Sequence, residues 1–231
     1  MKKKLLPLCF TTILLALLAT YFLSRCYYDN LNKVADFSLS DIPAYSDEPY
    51  AVVNGNTPYF VQSELSLSAF EEYSGLDILG RCGAAYACLG YELMPTEERG
   101  EIWHIKPTGW HSVQYDCVPD LSLYNRCHLI AFSLAGENDN ERNLITGTRY
   151  MNKEGMLPFE NQVADYIRKT RNHVMYRVTP IWQGDELVAR GVLMEAYSVE
   201  DRGAGICFCV FCYNVQPGIV IDYETGDSHE K

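Results

Sequence analysis

The sequence predicts an α+β domain in which a mainly antiparallel central sheet is flanked by helices. Three observations lead there. From His173 onward, four apolar runs (Val174 to Trp182, Leu187 to Tyr197, Ile206 to Tyr213 and Ile219 to Tyr223) are separated by Gly184-Asp185, Gly203 to Gly205 and Pro217-Gly218, the punctuation of an antiparallel meander. Ahead of them, Phe159, Val163, Tyr166 and Ile167 recur at helical spacing behind Pro158, a residue suited to a first helical turn. The length of 231 residues accommodates one domain and a leader, since domains cluster near ~100 to 200 residues.

The leader comes first. Lys2, Lys3 and Lys4 precede an uncharged apolar run from Leu5 to Leu23, which at about 1.5 Å per residue nearly spans a hydrocarbon core of roughly 30 Å. Ala16 and Ala19 have bulky neighbours and do not make an A-x-A cleavage site, so residues 1–26 read as an uncleaved signal anchor. The lysines then stay in the cytoplasm and the domain lies outside a single-pass membrane anchor; a cleaved leader would make it a secreted protein. Cys26 does not turn this into a lipoprotein signal, because Arg25 before it is not small. Residues 27–48 are polar and aperiodic and read as a linker, which assigns 49–231 to the folded domain.

Within that domain, Asn54-Gly55 between apolar flanks predicts a hairpin from Ala51 to Phe60. Leu65 to Tyr73 reads as a short helix, and Leu79 to Leu93, rich in glycine, alanine and cysteine, as a tightly packed strand or loop. In Arg99 to Trp110 the apolar residues read as core, and His104, Lys106 and His111 as ordinary surface or core side chains. A strand should deliver His128, with Leu129 to Phe132 continuing into the core, and Glu160 falls in the first turn of the helix that follows. Arg168, Lys169 and Arg171 at its other end suit the helix dipole.

The formal charge of −11 argues against nucleic-acid binding by bulk electrostatics. Its distribution leaves a local groove open: Arg126 to Arg177 holds eight Lys and Arg against six Asp and Glu, a balance of +2 that leaves −13 elsewhere. Such a groove predicts modest affinity with strong salt dependence. Of nine cysteines, seven lie beyond the leader. Outside the cell some of these would pair, and Cys82 with Cys88 is the pair that proximity favours. Cys207, Cys209 and Cys212 in CFCVFC read as strand residues, because structural zinc sites draw CxxC-type pairs from separate turns. Cys127 reads as structural.

Chemistry-bearing residues concentrate between Tyr124 and Glu160. His128 is the candidate base, since imidazole accepts a proton near neutrality. Asn143, Asn152 and Glu160, nine and then eight residues apart, offer oxygen ligands of the kind that suits a hydrated magnesium ion. Arg126, Arg142 and Arg149 supply fork-shaped donors for phosphate. Asn138 and Asn140 read as turn and capping residues.

Asn-Arg-Cys-His128, followed by Asn143, Asn152 and Glu160 at this spacing, resembles the DNA/RNA non-specific endonucleases, the ββα-metal nucleases with a DRGH motif. The similarity runs from about Ala51 to Asp227 and is greatest to the membrane-anchored branch that degrades DNA at the bacterial surface during uptake. The resemblance implies a ββα-metal nuclease fold and a magnesium-dependent endonuclease, with manganese as a candidate substitute. DNA is the implied substrate, RNA a second candidate, and 5′-phosphate ends the product. It assigns His128 as base, Asn152 as direct metal ligand, and Glu160 with Asn143 to the metal's waters or to orienting Asn152. Arg126 or Arg149 would stabilise the charge that builds on the phosphate. Three departures stand out: Asn125 where the motif has Asp, Cys127 where it has Gly, and Ala164 where an arginine is expected one turn past Glu160. Two competing readings belong to other classes, a non-catalytic surface receptor for DNA and a cysteine-rich zinc-binding surface module.

Overall fold

The computed structural model describes Phe37 and residues 39–231; the expected anchor lies outside the described residues. Among the described residues no helix is long and apolar enough to cross a membrane. The strands are β1 (Tyr50–Val52), β2 (Phe70–Tyr73), β3 (Ala85–Leu89), β4 (Tyr124–His128), β5 (Leu144–Thr148), β6 (Val174–Ile181), β7 (Gly191–Ser198), β8 (Cys207–Tyr213), β9 (Ile219–Ile221) and β10 (Ser228–Glu230). Among the described residues two α-helices accompany them, α1 (Phe132–Ala135) and α2 (Leu157–Thr170).

Six strands form one antiparallel sheet in the order β1-β8-β7-β6-β3-β2. Side chains alternate across it, as a strand's two-residue period requires. Phe208, Val210 and Cys212 join Val192, Met194, Ala196, Val174, Tyr176 and Val178 against Val163, Ala164 and Ile167 of α2. Cys209, Phe211 and Tyr213 join Leu193 on the opposite face. Burial on both faces explains why β6, β7 and β8 read as nearly continuous apolar runs.

Expectation and structure part at five places. Residues Asn54, Gly55 and Asn56 take left-handed φ values of 48°, 58° and 64°, so the chain does turn there. No hairpin follows: β1 pairs with β8, and the Asn56 side chain caps that edge through the main chain of Cys207 and Cys209. The predicted helix at 65–73 is a turn leading into β2, where the Ser66 hydroxyl bonds the main chain of Ser68 in competition with helical hydrogen bonds. Cys82 and Cys88 are free thiols. Cys82 belongs to the helix-side core, while Cys88 faces away from it and donates to the Ser66 carbonyl, so they cannot pair. Part of the assigned linker packs on the sheet, with Tyr45 edge-on to Tyr213 and the Tyr213 hydroxyl donating to the Pro43 carbonyl. The run at 219–223 leaves the meander, pairing as β9 with β10 after a turn at Gly218 (φ 83°).

CFCVFC is the strand β8, as expected. Its alternation puts Cys209 and Cys212 on opposite faces, and among the described residues no three His, Cys, Asp or Glu side chains are grouped to hold a metal. That geometry removes the zinc-module reading.

Candidate active site

The site is built from a strand pair and the helix after it. Strand β4 pairs with β5, placing Arg126 opposite Thr146 and His128 opposite Leu144. Residues Met151–Met156 then form a π-helical turn that runs directly into α2. The wider turn displaces one residue from the α-helical track, a feature found often at functional sites. Gly155 lets this turn approach β8, because a Cβ there would meet Cys212 at 3.3 Å and the Pro49 carbonyl at 3.4 Å. Buried Asn214 fastens the unit to the sheet: its amide bonds the main chain of Thr146, Thr148 and Ala189.

His128, Asn152, Glu160, Arg126 and Arg149 all line one cavity of about 550 Å³, together with Arg99, Asn125, Asp120 and Lys153. His128 is 6 % exposed. Its Nε2 lies 2.8 Å from the carbonyl oxygen of Asn138, which can only accept, so Nε2 carries the proton. The basic nitrogen is therefore Nδ1, which faces the Arg99 guanidinium at 3.3 Å. Burial lowers the pKa of this imidazole to about 4; the Asn138 contact opposes that shift and the Arg99 charge adds to it. His128 is neutral at physiological pH.

Asn152 is held at both ends of its amide. Nδ2 donates to Asn125 Oδ1 at 3.0 Å, and Oδ1 accepts from the Cys127 thiol at 3.2 Å. Cys127 lies within regular β4, so a side chain at this motif position brings no backbone strain. Glu160 is 6 % exposed. Burial raises its pKa to about 8, against a partial pull downward from Lys153 and Arg99.

The structure reassigns two expected site residues and modifies a third. Asn143 is 0 % exposed, and its amide clamps Ile130 by accepting from that residue's N–H at 2.8 Å and donating to its carbonyl at 3.0 Å. With both ends committed it is a structural clasp rather than a metal ligand or a partner of Asn152. Arg142 is exposed on a single turn (Glu141–Asn143) and does not line the cavity, so it is not placed to bind the substrate there. Arg126 does line it, but its guanidinium stacks on Trp110 at 4.0 Å and donates to the carbonyls of Ile105 and Trp103. It holds the 103–105 loop as well as facing the cavity. Arg149 pairs with Asp120 at the rim.

Sequence reasoning missed Arg99, Lys153 and the role of Cys127. Arg99 stands 29 residues before His128 in a segment with no periodic signal, and only tertiary folding brings it to the imidazole. Lys153 was legible as the neighbour of Asn152 in a segment of positive balance.

A family model described as DNA/RNA non-specific endonuclease matches residues 62–200. A deoxyribonuclease of Streptococcus dysgalactiae subsp. equisimilis is 38 % identical over 109 residues, 45 % of this chain and 32 % of the relative, so the match spans about a third of that protein. NucA of Streptococcus agalactiae, solved with a magnesium ion bound, superposes with a TM-score of 0.73 at 23 % identity, covering 84 % of this chain and 94 % of NucA. The Sda1 nuclease with a bound zinc ion gives a TM-score of 0.66 at 26 % identity, covering 80 % of this chain and 97 % of Sda1. The family model spans more than half of the 231 residues, and the chain belongs to the DNA/RNA non-specific endonuclease family.

Proposed function

We propose that this protein is a metal-dependent endonuclease that hydrolyses the phosphodiester bonds of DNA, with RNA as a second substrate, without regard to sequence. The observation that carries it is the buried, neutral His128, whose unprotonated Nδ1 meets Arg99 in a cavity that Arg126, Arg149 and Lys153 also line. These cations address phosphates, which every nucleotide shares, and so position the strand without identifying bases.

The residues fit a divalent ion. Glu160 is a carboxylate whose burial disfavours its charge more than Lys153 and Arg99 restore it, a state that a cation relieves, and Asn152, with a neutral amide oxygen, lines the same cavity. NucA with magnesium and Sda1 with zinc support a divalent ion in this fold. Oxygen donors favour Mg²⁺, with Mn²⁺ as a substitute. Bound at Asn152 and Glu160, the ion would neutralise charge on the phosphate and on the departing oxygen.

The chain's own groups supply the rest. Arg99 binds the phosphate and leaves the imidazole less burdened by positive charge. His128 Nδ1 takes the proton of a water that attacks phosphorus; the bond to the 3′ oxygen breaks, that oxygen takes a proton from solvent, and the product carries a 5′-phosphate. The apolar leader at residues 5–23 supports action at the outer face of the cell membrane.

The test is cleavage of supercoiled plasmid by the purified protein, with Mg²⁺ and then with EDTA. Nicking and linearisation that stop in EDTA, and that fall roughly 10²- to 10⁴-fold in His128→Ala while gel-shift binding persists, support the reading. DNA binding without cleavage in Mg²⁺, Mn²⁺ or Zn²⁺ would sink it and favour the surface receptor.

A further inference from the structure

Two of the departures from the DRGH pattern touch the same side chain. Asn125, where the pattern has Asp, accepts from Asn152 Nδ2, and Cys127, where it has Gly, donates to Asn152 Oδ1. An aspartate at 125 would accept only, so it would bind the amide nitrogen of Asn152 and turn its oxygen away. An asparagine offers both an acceptor and a donor. Asn125 and Asn152 could then pair equally well with both amides reversed, which would put nitrogen where an oxygen ligand is needed.

The Cys127 thiol removes that degeneracy. It is a weak donor, but a carboxamide oxygen is a far better partner for it than a carboxamide N–H, so the orientation seen is the one it favours. The strand pair is shaped around this side chain: a Cβ on Gly147 would come within 2.7 Å of Cys127 Cβ and 2.8 Å of Met151 Cε. Cys127 is 1 % exposed, and its single thiol proton has two other acceptors in reach, Met156 Sδ at 3.4 Å and the His128 carbonyl at 3.8 Å; the Asn152 oxygen at 3.2 Å is the nearest, and an amide oxygen is a better acceptor than a thioether.

We propose that Cys127 is a positioning residue that compensates for Asn125: its thiol fixes the orientation of the Asn152 carboxamide, and with it the oxygen offered to the metal, a task that an acceptor-only aspartate at 125 would perform alone. The inference rests on Asn152 being the metal-holding residue. It predicts that the two departures are energetically coupled: Asn125 is harmful without Cys127, while Cys127 beside an aspartate at 125 is close to neutral.

A double-mutant cycle tests it, read as Mn²⁺ affinity by titration calorimetry without nucleic acid, with unfolding midpoints in EDTA to confirm folding. Asn152→Ala should abolish binding; retention of parental affinity there would overturn the metal reading itself. Given that loss, Cys127→Ala should weaken Mn²⁺ binding several-fold to tenfold in the parent but under twofold in the Asn125→Asp background. Cys127→Ser, which restores a donor, should recover most of the affinity. Equal losses from Cys127→Ala in both backgrounds, or none in the parent, would overturn the compensation while leaving the metal reading intact.

Discussion

The Nε2 of His128 lies 2.8 Å from the Asn138 carbonyl oxygen, and this contact decides which nitrogen of the imidazole can receive a proton. The same burial that secures it holds the pKa near 4, well under the ordinary 6.5. In the proposed role of base, such an imidazole is always available but weak, and the mechanism requires its strength to rise when substrate enters.

The pH profile should show this. The free enzyme's His128 stays neutral down to about pH 4, so kcat/KM at saturating metal should hold below pH 6 on the acid side. In the complex, phosphate offsets the Arg99 charge, so the acid limb of kcat should lie at higher pH than that of kcat/KM. An acid limb of kcat/KM at or above 6.5 would contradict the assigned environment of His128.

Glu160 predicts a trade between stability and function. Its folded pKa is raised from 4.5 to about 8, so the stability carried by its protonated form is fully present below 4.5 and is lost as pH rises through 8. In EDTA at pH 8 to 9, Glu160→Gln should therefore be more stable than the parent, by on the order of 1–3 kcal/mol. Cleavage by the same variant should fall by orders of magnitude. A variant less stable than the parent in EDTA would show that the carboxylate is stabilised by contacts other than a cation.

Much of this site was legible because its key elements are local. His128, Asn152 and Glu160 fall on one strand–strand–helix unit, and Pro158 announced the helix. What was lost depends on distance or competition. Asn143 carries the right chemistry at the right spacing, yet the Ile130 main chain claims it. Asn54-Gly55 does turn the chain, but the free edge of β8 outcompetes a local partner for β1. Arg99 and the facing of Cys82 and Cys88 follow only from the three-dimensional packing.

Asn143 and Arg142 are separable by mutation. Asn143→Ala leaves the Ile130 N–H and carbonyl unpaired in the core, which should cost about 2–4 kcal/mol in unfolding free energy. Metal affinity in the residual folded protein should be unchanged. Arg142→Ala, at an exposed position off the cavity, should alter neither stability nor the salt dependence of DNA binding. A large loss of Mn²⁺ affinity in Asn143→Ala without loss of stability would return that residue to the metal site.

Arg99 offers a test of the base that does not depend on turnover. Its Nη2 stands 3.3 Å from His128 Nδ1, where a fixed positive charge opposes protonation and a donated hydrogen bond occupies the lone pair. Replacing it with alanine removes both effects but leaves the Asn138 contact and much of the burial. The imidazole pKa, followed by NMR of the ring in metal-free protein, should then rise from about 4 toward, but not to, 6.5. Cleavage should fall despite the stronger base, because the phosphate loses the guanidinium closest to the attacking water. A pKa that does not move in Arg99→Ala would assign the whole depression to burial and leave Arg99 a substrate contact with no hold on the base.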